Sequence, residues 1–287
     1  MSFLNKGDKI GIISCSNGVS LRNKFVVEEL KKVLDELGIK VEEGRSLYAK
    51  EYNLFTCTGE EKAKALENLF LDKDIKMIFD ISGGDLANEV LDFLDFNLIK
   101  NKPKPFLGYS DLTVLLNAIY AKSGVITYNY QLRNLIGSYK EEQKKNFEAS
   151  FMEGKDDIFK LNYKWIRGNG LEGIVLGGNI RCLLKLAGTN YMPDFKDKIL
   201  FLESFSGNPA KMVTYLTQYK NLGIFKEIKG LVLGEFTEME RDCLKPDILE
   251  ILNRVLGDIS IPILKTEDLG HGQNAKCIPI GKYLSFK

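Results

Sequence analysis

The sequence has almost no excess of charge of either sign, because its 40 lysine and arginine residues are balanced by 39 aspartate and glutamate residues. It shows no basic run of the kind that binds nucleic acid or a membrane surface. No apolar stretch approaches the roughly 20 residues that a membrane-spanning helix needs. Apolar residues nevertheless make up 44% of the chain, too many for a disordered protein. We therefore expect a folded protein with no nucleic-acid or membrane partner.

The sequence also lacks the cysteine patterns of a disulfide framework or a zinc site. The five cysteines are odd in number, and no two have the Cys-x-x-Cys spacing of a metal or redox site. They are Cys15, Cys57, Cys182, Cys243 and Cys277. The first residues do not resemble a secretory signal peptide, which has a charged segment followed by an apolar one. We therefore expect a cytoplasmic protein with reduced thiols, most of them buried.

Histidine is nearly absent, since His271 is the only histidine in the chain. Any reaction near neutral pH that uses an imidazole must use this residue. His271 lies between Gly270 and Gly272, and flanking glycines indicate an unusual backbone or the close approach of another group. A metal site is disfavoured because there is no second histidine. The same placement also fits a surface histidine in a flexible loop.

Strand and helix patterns alternate through the first half of the chain, which predicts a parallel sheet with helices on both faces. The predicted strands are residues 9–14, 39–41, 75–81, 105–109 and 125–128. The second half has shorter predicted strands and two helical stretches, which predict a smaller α/β domain. These strands are residues 173–176, 198–202, 230–234 and 261–264, and the helices are residues 210–219 and 246–255. We place domains at residues 1–136 and 169–287, joined by a charged connecting segment, residues 137–168.

A strand that runs into a serine and then a helix marks the first candidate site. Residues 108–113 read Gly-Tyr-Ser-Asp-Leu-Thr, with Ser110 at the junction. Such a turn exposes the serine hydroxyl above backbone N–H groups at the helix start, which suit a developing oxyanion. Leu112 stands where the Gly-x-Ser-x-Gly pattern of a nucleophile elbow has its second glycine. The spacing is also that of a serine helix cap.

Two further segments carry candidate chemistry. Residues 82–84 read Ser-Gly-Gly at the end of a strand, where glycine N–H groups can approach an anion or simply form a tight turn. Glu203 ends a predicted buried strand, at the edge of an α/β sheet where ligands bind. A carboxylate is needed to orient a catalytic imidazole, and Asp268 competes with Glu203 for that role.

Taken in order, these segments resemble the LD-carboxypeptidase family of serine peptidases, which includes the microcin C self-immunity proteins. The resemblance runs over nearly the whole chain. The segments that carry it are residues 82–84, 101–113, 173–179, 199–203, 270–272 and 279–281. The resemblance implies a triad with Ser110 as nucleophile, His271 as general base and Glu203 as the residue that orients it. It also implies an oxyanion hole from the backbone N–H groups of Gly84 and Asp111.

The resemblance implies more than a triad. It predicts a Rossmann-like or flavodoxin-like N-terminal domain that carries the serine and a smaller, barrel-like C-terminal domain that carries the glutamate and the histidine. The expected activity is removal of the terminal D-amino acid from muropeptide tetrapeptides in cell-wall recycling, without metal or organic cofactor, by a homodimer. The substrate-binding candidates are Gly83, Asn179, Arg133 and Arg181.

This sequence departs from the family pattern at positions that concern substrate recognition. Asp85 follows the paired glycines where an aromatic residue is frequent, and residues 128–130 read Tyr-Asn-Tyr instead of His-Gly-Pro. Two alternatives therefore stay open. One is a self-immunity peptidase that cleaves an aminoacyl-nucleotide carboxamide, with Trp165 or Tyr163 facing the Ser110 cleft to stack on a nucleobase. The other is a non-catalytic peptide-binding protein, in which the three triad candidates lie apart.

Overall fold

A computed structural model describes residues 2–49 and 57–287 of the chain. The strands, numbered along the chain, are β1 (Lys9–Ile13), β2 (Val19–Ser20), β3 (Lys40–Glu43), β4 (Tyr48–Ala49), β5 (Ile75–Asp80), β6 (Phe106–Gly108), β7 (Thr127–Asn129), β8 (Lys164–Arg167), β9 (Leu171–Asn179), β10 (Lys198–Ser204), β11 (Gly230–Phe236), β12 (Ile263–Lys265), β13 (Ile278–Ile280) and β14 (Tyr283–Phe286). The α-helices are α1 (Lys24–Glu36), α2 (Gly59–Leu71), α3 (Phe96–Asn101), α4 (Thr113–Ser123), α5 (Lys140–Phe147), α6 (Ile180–Leu183), α7 (Pro209–Asn221), α8 (Ile224–Glu227), α9 (Thr237–Arg241) and α10 (Ile248–Leu256).

The first sheet has the strand order β13-β7-β6-β5-β1-β3. Its pairs are parallel except at β13, which runs antiparallel to β7. The central strands are apolar because both of their faces are covered, as β5 shows with five of its six residues buried. The predicted parallel α/β arrangement of the N-terminal half is confirmed, with one strand added from residues 278–280 near the other end of the sequence.

The second sheet has the strand order β14-β9-β10-β11-β12-β8 and curls into a half-barrel. Strands β9 to β12 are parallel, and the edge strands β14 and β8 are antiparallel to their neighbours. The predicted smaller α/β domain is therefore confirmed as a fold. The expected connecting segment, residues 137–168, contains α5 and also β8, which pairs with β12 of this sheet.

Local sequence signals explain where several helices begin and end. Thr58 and Glu61 cap α2 reciprocally, each side chain accepting a hydrogen bond from the other's backbone N–H. Helix α4 ends at Gly124, which adopts the left-handed conformation with φ of 74°. Residues 87–93 form a 3-10 helix. No helix within residues 2–49 and 57–287 is both long and apolar enough to cross a membrane.

The connections between the sheets bring the candidate residues to one edge. Ser110 follows β6 in the first sheet, whereas Glu203 lies near the end of β10 in the second. The segment that holds His271 leaves β12 of the second sheet and enters β13 of the first. His271 therefore sits on the chain segment that passes from one sheet to the other.

Candidate active site

Ser110 occupies a strained turn between β6 and α4. Its φ is +56°, in the left-handed region that side chains other than glycine rarely adopt. A 3-10 turn, Ser110–Leu112, leads directly into α4. Gly108 permits the tight geometry, because a Cβ there would lie 2.9 Å from the Cβ of Leu112. Backbone strain of this kind costs on the order of 1–3 kcal/mol and clusters at functional sites, and here it holds the hydroxyl at the strand–helix junction.

Glu203 and His271 form a buried pair beside that turn. The imidazole Nδ1 lies 2.7 Å from Glu203 Oε2, and the two side chains are 7% and 2% exposed. The imidazole ring packs against Tyr109, the residue that precedes Ser110, with ring centroids 5.1 Å apart. Phe205 packs against the same ring with a centroid distance of 5.0 Å. Within the described residues, the buried Nε2 atom has no hydrogen-bond partner, so it is available for proton transfer.

The competing carboxylate, Asp268, points elsewhere. Its Oδ2 atom accepts a hydrogen bond from the backbone N–H of Asn162 at 2.6 Å and lies 3.1 Å from Lys276 Nζ. These contacts fix the loop that leads to His271. Of the two carboxylates that the sequence offered, the structure joins Glu203 to the imidazole.

The paired glycines lie against the Ser110 turn. An added Cβ at Gly83 would lie 4.0 Å from Ser110 Oγ. Gly84 has φ of +132°, and a Cβ there would come within 2.3 Å of the Asn17 side chain. Asn17 Oδ1 also accepts a hydrogen bond from the backbone N–H of Asp85 at 3.1 Å. Both the backbone angle and the close approach therefore require glycine at position 84.

A buried carboxylate that the sequence did not predict as a site residue supports the segment that contains the paired glycines. Asp80, at the end of β5, accepts hydrogen bonds from the backbone N–H of Cys15 at 2.6 Å and of Ser82 at 2.9 Å. The Ser82 hydroxyl donates to Asp80 Oδ1 at 2.5 Å. Burial raises the pKa of Asp80 to about 6, although these hydrogen bonds act in the opposite direction. An aspartate that ends a largely apolar strand was the available sequence signal.

The carboxylate of Asp111 is a second support that the sequence did not predict, since the resemblance implies a role only for its backbone N–H. The side chain is fully buried. It accepts hydrogen bonds from the Ser16 hydroxyl at 2.6 Å and the backbone N–H of Ala87 at 2.9 Å. Lys185 Nζ, from the second domain, lies 2.5 Å from its other oxygen. The residue after the candidate nucleophile is thus tied to three separate segments.

Cavities open on both sides of the Ser110 turn. One of about 400 Å³ is lined by Gly84, Asp85, Ser110, Asn179, Arg181, Phe205, Ser206, Lys211 and Tyr215. Two others, of about 300 and 330 Å³, share Val26 and Arg133; the first is also lined by His271 and the second by Gly83. Among the described residues, no group of three or more histidine, cysteine, aspartate or glutamate side chains is arranged to hold a metal ion.

The four substrate-binding candidates all line these cavities, but they differ in the hydrogen bonds and ion pairs that they already make. Arg181 is bound to Asp85 at 2.7 Å and to the carbonyl of Gly84 at 3.3 Å. Arg133 donates from Nη2 to the hydroxyl of Tyr109 at 2.8 Å, and no carboxylate pairs with it among the described residues. Asn179 caps α6 and lines the Ser110 cavity. Gly83 lines the cavity shared with Arg133.

Trp165 and Tyr163 do not line the Ser110 cavity. Trp165 lies in β8 opposite Leu264, at the edge of the second sheet. Tyr163 packs edge-on against Trp165 at a centroid distance of 6.0 Å, and its hydroxyl donates to the carbonyl of Lys287. The single tryptophan is thus a packing residue of the second domain.

Comparison with known proteins identifies both halves of the chain. The LD-carboxypeptidase N-terminal domain matches residues 10–130, and the LD-carboxypeptidase C-terminal domain matches residues 172–286. The Bacillus subtilis protein YocD is 30% identical over 98% of this chain and 93% of its own length. The murein tetrapeptide carboxypeptidase of Pseudomonas aeruginosa is 26% identical over 90% of this chain and 87% of its own.

The microcin C7 self-immunity protein MccF of Escherichia coli is similar in both sequence and structure. It is 27% identical over 98% of this chain and 90% of its own length. Its solved structure superimposes with a TM-score of 0.87 and 25% identity, covering 99% of this chain and 94% of that one. The two-domain architecture is therefore shared along almost the entire chain.

Proposed function

The chain belongs to the LD-carboxypeptidase family of peptidases, and from this premise we propose that it is a serine-type LD-carboxypeptidase. Its proposed reaction cleaves the bond between an L-centre and a D-centre, releasing the terminal D-amino acid from muropeptide tetrapeptides. The observation that carries the serine mechanism is the buried Glu203–His271 pair beside the strained Ser110 turn.

The proposed mechanism is acyl transfer in two steps. Ser110 Oγ attacks the peptide carbonyl carbon while His271 Nε2 accepts the hydroxyl proton. The carbon–nitrogen bond then breaks, and the imidazolium returns the proton to the departing amine. Water attacks the acyl-enzyme, its proton passing through His271 to Ser110, and the shortened peptide leaves. Glu203 holds the Nδ1–H tautomer and stabilises the imidazolium throughout.

Electrostatic stabilisation of the tetrahedral intermediate is assigned to two backbone donors. The N–H groups of Gly84 and Asp111 belong to the two segments that meet at the Ser110 turn. Preorganised donors of this kind typically contribute about 10²–10³ in kcat each. Asp80 accepts a hydrogen bond from the backbone N–H of Ser82, and the Asp111 carboxylate accepts one from the backbone N–H of Ala87. These buried hydrogen bonds support a rigid placement of the two donors.

A carboxypeptidase must also recognise a free terminal carboxylate, and we assign that role to Arg133. Its guanidinium faces the two cavities that share it, next to Tyr109 and His271. Arg181, the other candidate arginine, already binds Asp85 and the Gly84 carbonyl. A guanidinium matches the two oxygens of a carboxylate better than a point charge does.

A second candidate activity is cleavage of an aminoacyl-nucleotide carboxamide. It is favoured by Phe205, 54% exposed, and Tyr215, which line the Ser110 cavity and offer stacking surfaces for a base. Structures of the similar protein MccF include complexes with glutamyl sulfamoyl guanosine and aspartyl sulfamoyl adenosine. The chemistry at Ser110 would be the same, and only the occupant of the cavity differs.

The test is a mass-spectrometric digest of muropeptide tripeptides, tetrapeptides and pentapeptides, beside an aminoacyl sulfamoyl adenosine. Loss of one residue from the tetrapeptide alone supports the LD-carboxypeptidase proposal, whereas cleavage of the nucleoside conjugate alone supports the second candidate. Ser110→Ala is the matched control. Removing the nucleophile should lower kcat by about 10⁶ without unfolding the protein. Wild-type turnover by that variant contradicts both proposals.

We also propose that the enzyme acts in the cytoplasm as a homodimer. A muropeptide returned to the cell interior for recycling meets the enzyme there. Light scattering of the purified protein after gel filtration measures the mass, which should be twice the 32.5 kDa of the chain. A mass of one chain at micromolar concentration contradicts the dimer.

A further inference from the structure

Two cationic side chains of the second domain bind the loop that carries a proposed oxyanion donor. We call residues 82–86 the glycine loop. Arg181, in α6, donates to the Asp85 carboxylate at 2.7 Å and to the Gly84 carbonyl at 3.3 Å. Lys185, four residues later in the 3-10 turn after α6, donates to the Asp85 carbonyl at 2.7 Å. The two cations thus bind the carbonyl oxygens of two successive peptide groups, Gly84–Asp85 and Asp85–Leu86.

Lys185 also reaches the other proposed donor. Its ammonium lies 2.5 Å from the buried carboxylate of Asp111, the residue whose backbone N–H is the second oxyanion donor. The Lys185 side chain is 18% exposed and that of Asp111 is fully buried, so this ion pair is shielded from water. One ammonium group therefore bridges the glycine loop and the first turn after the nucleophile.

The first domain holds the opposite side of the glycine loop. Asn17 Oδ1 accepts from the backbone N–H of Asp85 at 3.1 Å. The Ser16 hydroxyl accepts from the backbone N–H of Leu86 at 3.3 Å and donates to Asp111 at 2.6 Å. The loop thus lies between neutral hydrogen bonds from its own domain and two cations from the other.

These contacts restrain the backbone on both sides of Gly84. The Gly84 N–H belongs to the Gly83–Gly84 peptide group, whose carbonyl accepts a hydrogen bond from the backbone N–H of Asn17 at 3.3 Å. The carbonyl oxygens of Gly84 and Asp85 are each bound by a cation, which limits rotation of the Gly84–Asp85 and Asp85–Leu86 peptide groups and therefore restrains the ψ angle of Gly84. Gly84, at φ of +132°, has a backbone freedom that other residues lack, so it needs external restraint. Oxyanion donors work only when they already point at the position the oxyanion will occupy.

We propose that Arg181 and Lys185 are positioning residues that orient the oxyanion hole from the second domain. The inference rests on the proposed serine mechanism, and it assigns Arg181 a role other than binding the substrate carboxylate. Asp85 belongs to the same arrangement, because its carboxylate is the ion-pair partner of Arg181. It occupies the position where the sequence departs from the aromatic residue frequent in the family.

The experiment compares Lys185→Met with Lys185→Arg and with a matched control, Lys220→Met. Lys220 also donates to a main-chain carbonyl, that of Val255, but on a distant part of the second domain. Two quantities are measured besides kcat and KM. One is the affinity for a peptide boronate, whose tetrahedral serine adduct places an oxygen in the oxyanion hole. The other is the affinity for the tripeptide product, which makes no such adduct.

For Lys185→Met we expect kcat to fall about tenfold to hundredfold, somewhat less than the loss of a whole donor. Boronate affinity should fall by a similar factor, while KM and tripeptide affinity change less than about twofold, because only the oxyanion contact weakens. Lys185→Arg should recover most of the loss, and Lys220→Met should behave as wild type. Equal boronate affinity in Lys185→Met and wild type overturns the inference.

Removal of Lys185 leaves the buried Asp111 carboxylate unpaired, and this destabilises the fold. Asp85→Asn provides a second variant, because Asp85 is 64% exposed and its loss weakens only the Arg181 contact. We expect it to lower kcat and boronate affinity together by about threefold to tenfold, with the unfolding midpoint unchanged. An unchanged kcat in Asp85→Asn contradicts the role of Arg181. Failure of the wild type to bind the boronate contradicts the serine mechanism itself, so the two failures are distinct.

Discussion

Glu203 and His271 are 68 positions apart in the sequence, yet their side chains meet at 2.7 Å in a buried contact. Glu203 is carried by β10 near the middle of the second sheet, where a parallel strand on each side fixes its backbone. His271 is carried by a loop whose preceding glycine, Gly270, packs against Glu235. A rigid acid therefore orients a loop-borne imidazole, which is the arrangement that a general base requires.

This contact predicts unequal effects for the two carboxylates near His271. Glu203→Gln should lower kcat by about 10⁴, because the amide cannot hold the imidazole tautomer or stabilise the imidazolium. Asp268→Asn should lower it by about tenfold or less, since Asp268 only supports the loop through Asn162 and Lys276. Parallel steady-state kinetics of the two purified variants provide the measurement. A larger loss at Asp268 would assign the acid role to that residue.

Gly84 provides a prediction about the glycine loop. Gly84→Ala should reduce kcat by about 10² or more, because its Cβ would lie 2.3 Å from Asn17 and the loop must move. Gly188→Ala is the control, since Gly188 also has a positive φ, +79°, but nothing within 4 Å of an added Cβ. That variant should lose about 1–2 kcal/mol of stability and keep its activity. Thermal unfolding of both variants measures the cost of the backbone strain that an alanine introduces at positive φ. Steady-state kinetics of both variants measure the loss of activity caused by displacement of the glycine loop.

Arg133 predicts how the enzyme distinguishes a free carboxylate. Wild-type enzyme should prefer a tetrapeptide ending in a carboxylate over its C-terminal amide, and Arg133→Gln should lose about 10–10² of that preference in kcat/KM. Arg167→Gln is the control, since Arg167 binds Ile259 and Asn253 far from Ser110. If Arg133→Gln discriminates as wild type does, another cation receives the carboxylate.

The raised pKa of Asp80 predicts a pH dependence of stability. A carboxyl whose pKa is about 6 when folded and near 4 when unfolded binds its proton more tightly in the native state. The stabilisation of the folded state by the protonated Asp80 carboxyl is complete below about pH 4 and is lost as pH rises to about 6. The free energy of unfolding therefore decreases by about 3 kcal/mol over this range. Asp80→Asn should lack this decrease. Urea unfolding at several pH values between 4 and 7 measures it, and parallel profiles would contradict the prediction.

Much of this architecture follows from local patterns in the sequence. Apolar runs such as residues 75–81 and 198–202 predict buried parallel strands, and both are strands, β5 and β10. The reciprocal cap at Thr58 and the glycine that ends α4 are equally local signals. At the site, the Gly-Tyr-Ser-Asp junction located Ser110, and the scarcity of histidine left His271 as the single imidazole available.

The features that the sequence did not predict depend on contacts between distant segments. Asp80 and the Asp111 side chain are buried among residues up to 95 positions away, and no periodicity marks such partners. Phe25 is a large apolar residue of α1, yet it is 65% exposed, whereas Val27 in the same helix is buried. Strand β13 is too short and too mixed, Ile-Pro-Ile, to predict a partner in the first sheet.

Strand β13 has a consequence for biosynthesis. Because Ile278–Ile280 pairs with β7, the edge of the first sheet stays open until residue 280 has left the ribosome, after all of β8 to β12. His271 reaches the Ser110 turn only on the segment that leads into this strand. A nascent chain therefore carries the proposed nucleophile without the proposed base until this segment has been synthesised, so the proposed activity must wait until both sheets can form.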